Sequence, residues 1–138
     1  MTWIFYAIGS ALFASLVAIF GKLGLKNIDS TMATTIRAVV MALFLVIISL
    51  SLKKFSGLES IMGKPLVFII LSGIAGALSW LFYFFAIKQG SVSGVVAIDR
   101  TSVVFALILA ALFLGEAFTI KTALGGALIL GGALLVAL

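Results

Sequence analysis

The chain has 138 residues, 64% of them hydrophobic and only 9% charged, so it has too little polar surface to cover a water-soluble globule, in which about a quarter of residues are charged. Its net charge of +5 does not point to nucleic acid, because the lysines fall at the ends of apolar runs, where they meet lipid headgroups. The lack of cysteine and histidine removes thiolate chemistry, disulfides and most zinc sites.

A helix needs about 20 apolar residues to cross the bilayer core, and five segments qualify. The first span is expected from about Thr2 to Phe20. No basic residue precedes it, so it reads as a retained helix rather than a signal peptide. Gly21-Lys22-Leu23-Gly24 should end it, with glycine as C-terminal cap. The second span is expected from Met32 to Leu52, with Asp29, Ser30 and Thr31 offering N-caps and Lys53 and Lys54 at its negative end. The third runs from Pro65, whose missing N–H costs nothing in a first turn, to Ile87. Lys88-Gln89-Gly90-Ser91 reads as a short turn. The fourth span is expected from Val92 to Leu114. The fifth runs from Ile120, capped by Thr119, to Leu138. Runs such as Val39 to Ile48 are apolar throughout and lack the alternation of a membrane β-barrel. The expected fold is an all-α integral membrane protein, one five-helix domain over residues 1–138.

Small residues recur four apart: Ala7, Ala11 and Ser15; Gly73 and Ala77; Ser102, Ala106 and Ala110; Ala123, Ala127 and Gly131. Such ridges let helices approach closely in lipid, within one bundle or between subunits. Five spans place the termini on opposite sides. The loop lysines divide as Lys53, Lys54, Lys64 and Lys121 against Lys22, Lys26 and Lys88. Adding Arg37 and Arg100 to the second group reverses the bias. Orientation follows the Lys/Arg excess, so this chain specifies its orientation weakly, and insertion of copies in both directions is one reading.

Three charges fall inside apolar spans: Arg37, Asp99 and Arg100. Charge in hydrocarbon is costly and marks function by default. Arg37 lies about 8 Å into the second span, and Asp99 about 10 Å into the fourth from the same side. Trp80 and Tyr83, near the end of the third span, belong at that level. Together with Arg100 these residues form the expected substrate site: a fixed cation, a titratable acid and aromatic walls. Structural readings stay open beside it. The arginines can snorkel to headgroups, Trp80 and Tyr83 can belong to an interfacial belt, and Arg37 with Asp99 can be a structural ion pair. Phe82, Phe84 and Phe85 read as ordinary lipid-facing or packing residues. Glu116 sits at the membrane edge and reads as a cap or a partner of a loop lysine. No phosphate loop, HExxH or nucleophile with a histidine base occurs, so neither an enzyme, a metal site nor a cofactor is expected.

The stretch IDRTSVVFALILAALFLGEAFTIKTALGGALILGGALLV, Ile98 to Val136, resembles the end of a single EamA-type domain of the drug/metabolite transporter superfamily. Leu114-Gly115-Glu116, Phe118-Thr119 and the glycines from Gly125 to Gly132 are similar to that family's pattern in order and spacing. So are Thr35-Ile36-Arg37-Ala38 and Phe84 to Gly90. Many members carry a proline in the fourth helix, where this chain has Thr101-Ser102. The first span lacks the glutamate of the small multidrug resistance branch, so that antiport chemistry is not carried over. The resemblance implies a multi-pass protein of a bacterial or archaeal plasma membrane, exporting small metabolites or amphiphilic compounds by alternating access. Most relatives join two inverted five-helix halves, and this chain matches one half. The resemblance therefore implies a homodimer, antiparallel by preference, with lipid and a small-molecule substrate as partners and no nucleic acid. A non-transporting assembly factor or accessory subunit is the alternative; a channel is disfavoured by the lack of a continuous polar stripe.

Overall fold

A computed structural model describes residues 2–138, whose regular elements are all helices joined by short turns: α1 (Thr2–Gly24), α2 (Ser30–Ser51), a 3-10 segment (Lys54–Ile61), α3 (Lys64–Gln89), α4 (Val92–Asp99), α5 (Ser102–Phe113) and α6 (Ile120–Ala137). Five stretches are long and apolar enough to cross a membrane, α4 and α5 together forming the fourth, Val92–Leu114.

The end of the first span differs from expectation. Gly21 to Gly24 stay helical, since glycine in a helix interior costs only about 1 kcal/mol. Lys22 on this added turn donates to the Gly90 carbonyl at 2.8 Å. Lys88 and Gln89, expected in a turn, lie inside α3, and Lys88 Nζ donates to the Ile28 carbonyl at 2.9 Å. Both lysines satisfy loop carbonyls that helices leave bare. Asp29 is the N-cap of α2, accepting from Met32 N–H at 2.9 Å. That backbone bond holds the Asp29 carboxyl below its ordinary value. Lys53, just past the end of α2, is left-handed at φ 52°, which lets the chain turn out of the helix.

The fourth span is not one helix. It breaks after Asp99, where Thr101 N–H reaches the Ile98 carbonyl and Val103 N–H the Arg100 carbonyl. These are three-residue bonds, a short 3-10 step between two α-helices. The Thr101 hydroxyl donates to the same Ile98 carbonyl at 2.7 Å, in the back-bonding that bends helices in lipid. The interruption therefore forms without a proline.

The chain separates into two compact units. One holds α1 as far as Lys22 together with Gln89–Leu138; the other is Leu23–Lys88. In the first unit, α6 packs on α4 and α5. Contact is close because of small residues: a Cβ at Gly94 would lie 3.6 Å from the Ala137 Cα, and one at Gly126 would lie 3.3 Å from Leu107 Cδ1. Ala18 and Ala133 are buried. These are the positions where lipid-embedded helices gain from small side chains.

Thr119, rather than Glu116, caps α6. Its hydroxyl accepts from Thr122 N–H at 3.2 Å, and Thr122 Oγ1 accepts from Thr119 N–H at 2.9 Å, a reciprocal capping box. Thr119→Ala should lower stability by about 1 kcal/mol and Thr119→Ser by less, measured as the midpoint of unfolding in mixed detergent–SDS micelles.

Candidate functional site

In the Leu23–Lys88 unit, helical spacing alone aligns the side chains that form a cavity. Thr34, Arg37, Ala38 and Met41 recur at three- and four-residue steps on α2, and Gly73, Gly76, Ala77, Trp80 and Leu81 do so on α3. These two stripes, with Thr31, Thr35 and Leu78, line a cavity of about 540 Å³, within the range of small-molecule sites. Glycine and alanine on the α3 wall leave the space open. A Cβ added at Gly73 or Gly76 would meet no atom within 4 Å.

Arg37 is the only charged residue among these walls. Its guanidinium carbon lies 3.6 Å from the centroid of the Trp80 ring and 5.5 Å from that of Phe84. The stack occupies the face of the guanidinium and leaves its N–H edge for a planar acceptor. Trp80 is held in turn by its neighbours on α3. Tyr83 meets it edge-on at 5.4 Å, and Phe84 lies at 6.0 Å from Trp80 and 6.1 Å from Tyr83. Such aromatic pairs contribute about 0.5–1.5 kcal/mol beyond their burial. Phe84 is 4% exposed, whereas Phe82 and Phe85 are exposed.

The Thr34 hydroxyl donates to the Ser30 carbonyl at 2.7 Å and that of Thr35 to the Thr31 carbonyl at 2.9 Å. Their protons are committed to the backbone, so both oxygens are available as acceptors.

The sequence-predicted residues divide between the units. Arg37, Trp80 and Tyr83 come together in the second. Asp99 and Arg100 belong to the first, at the break in the fourth span, with Asp99 half-buried and Arg100 exposed. Sequence reasoning missed Phe84 as a support of the site and the threonines as walls. Both could have been found from spacing, Phe84 being four residues after Trp80 and Thr34 three before Arg37. No cluster of three or more metal-ligating side chains occurs among the described residues.

These features define a class: a helical membrane protein with five candidate spans and a charged, aromatic-walled cavity in its apolar region. The chain belongs to the EamA-like transporter family, whose model it matches over residues 1–138. A Sinorhizobium protein named "Uncharacterized transporter in cobO 3'region" is 40% identical over 136 residues, which is 99% of this chain and 96% of that relative. No solved structure matches the chain.

A stacked guanidinium and indole should be energetically coupled. A double-mutant cycle of Arg37→Gln and Trp80→Leu should return a coupling of about 1 kcal/mol, read from detergent–SDS unfolding midpoints. Additive effects would show that the two side chains stand in contact without supporting each other.

Proposed function

We propose that this small transporter of the EamA-like family is a secondary exporter of small metabolites or amphiphilic compounds, working by alternating access as a homodimer in the bacterial or archaeal plasma membrane. The observation that carries this is the lone Arg37 on Trp80, facing an open cavity in the apolar part of a span. A cation in such a place is costly, and a cavity around it gives the cost a use. Arg37, Trp80 and Tyr83 contact the substrate. Asp99 and Arg100 sit beside the 3-10 step of the fourth span, and a mid-helix stretch of this kind often marks a hinge. In this reading Asp99 exchanges a proton during the cycle.

The dimer in this reading pairs two oppositely inserted copies. Inverted repeats build their transport site at the interface of the halves, and this chain supplies one half. The lysines give little preference for either orientation, as such a dimer requires.

Orientation is read directly in this cysteine-free chain. Single cysteines at Asn27 and Ser56, in the loops on either side of α2, should each be partly labelled by a membrane-impermeant thiol reagent on intact cells. Labelling at one position alone would fix a single orientation and remove the antiparallel homodimer, turning attention to a partner subunit.

In proteoliposomes, Asp99→Asn should abolish the dependence of flux on pH while the protein still folds. Flux with unchanged pH dependence would remove Asp99 from the proton path.

A further inference from the structure

The chemistry of the cavity in the Leu23–Lys88 unit restricts what it accepts. Its walls carry one formal charge, that of Arg37, and no acidic residue. A ligand matched to them carries one negative charge and no positive one. The guanidinium lies on the Trp80 ring at 3.6 Å, so what it offers is its edge. Two parallel N–H groups on that edge match the two oxygens of a carboxylate. With a single cation, the site is poorly matched to a dianion such as a phosphate monoester. An amino acid would bring an ammonium that finds no carboxylate among the walls, only neutral threonine oxygens, so its charge is left without an opposite one.

The rest of the surface specifies the body of the ligand. Apart from Arg37, Trp80 and the three threonines Thr31, Thr34 and Thr35, the walls are Ala38, Met41, Ala77, Leu78 and Leu81 together with the bare backbone at Gly73 and Gly76, which suits a mostly apolar group. At about 540 Å³ the cavity is far larger than formate or acetate needs.

We propose that the cavity between α2 and α3 binds small organic monocarboxylates with an apolar body, the carboxylate pairing with the edge of the Arg37 guanidinium. This names the substrate class of the site given above and rests on that transporter reading.

Trp80 is the reporter. Trp3→Phe leaves it as the only tryptophan of the full chain, which is then placed in phosphatidylcholine nanodiscs and titrated with phenylacetate. The expected result is a saturable change in Trp80 emission. Phenylacetamide, of the same shape but neutral, and phenylalanine, a zwitterion, should bind about tenfold more weakly or not at all, the loss expected for one charge-assisted pair. Arg37→Gln should remove the response. Gly76→Leu should remove it as well, because a side chain there enters open space rather than a packed core, so this variant tests the cavity where Arg37→Gln fails to fold.

Equal responses to phenylacetate and phenylacetamide would overturn the proposal, as would a response that survives in either folded variant. A response to inorganic phosphate equal to that for phenylacetate would overturn the requirement for a monocarboxylate with an apolar body. Phosphatidylglycerol added to the discs discriminates a lipid headgroup. If it alone changes Trp80 emission and abolishes the phenylacetate response, the cavity is a lipid site and the proposal fails. Flux in proteoliposomes separates this from the broader reading. Phenylacetate binding without flux would leave the site standing and sink transport. Flux of another solute without phenylacetate binding would do the reverse.

Discussion

Water is absent from the bilayer core, so every backbone N–H and C=O there needs a partner inside the protein. The architecture follows from this constraint. Spans are helical because a helix satisfies its own interior, and their ends carry side chains that finish the work. Asp29 takes the Met32 N–H at the start of α2, Ser91 takes the Gly94 N–H in α4, and Thr119 and Thr122 serve each other at the start of α6. At loops, Lys22 and Lys88 reach carbonyls 68 and 60 residues away in sequence, so charges that flank the membrane also tie separate segments together. The interruption of the fourth span obeys the same rule. Three-residue bonds and the Thr101 hydroxyl replace the α-helical pattern across the step.

Against that background a charged side chain within a span has few stable solutions. Arg37 finds one by laying its delocalised face on Trp80. Cation–π attraction strengthens when water is removed, to about 2 kcal/mol or more. Arginine is suited to this because its plane stacks while its edge still donates; lysine, a compact and strongly hydrated charge, cannot do both. The aromatic trio Trp80, Tyr83 and Phe84 therefore stands as one unit, in which two rings fix the third and the third holds the cation.

Much of this was legible in the sequence, for physical reasons. Apolar length alone located the spans, since the bilayer demands it, and Arg37, Trp80 and Tyr83 were recognisable as out of place or well placed in a hydrophobic run. What escaped was set by local competition. Gly21 and Gly24 read as a stop, yet one more turn of α1 was stable with Lys22 to bond a carbonyl. The step at Arg100-Thr101 had no proline to announce it, and threonine back-bonding is a weak signal because the same residue also sits quietly in straight helices. In the sequence Phe84 is one more phenylalanine among 12; only its spacing from Trp80 distinguishes it.

The open wall of the α2–α3 cavity is made by the absence of side chains at Gly73 and Gly76, while its charge comes from Arg37 on the opposing helix. Size and charge are thus encoded at separate positions on separate helices. If Arg37 anchors the ligand as proposed, a lineage of such proteins can change the bulk of what it accommodates through single substitutions on α3 and keep the anchoring group untouched. On the proposed reading the selectivity of this scaffold is modular, and drift among related cargoes requires no intermediate that has lost its hold on the ligand.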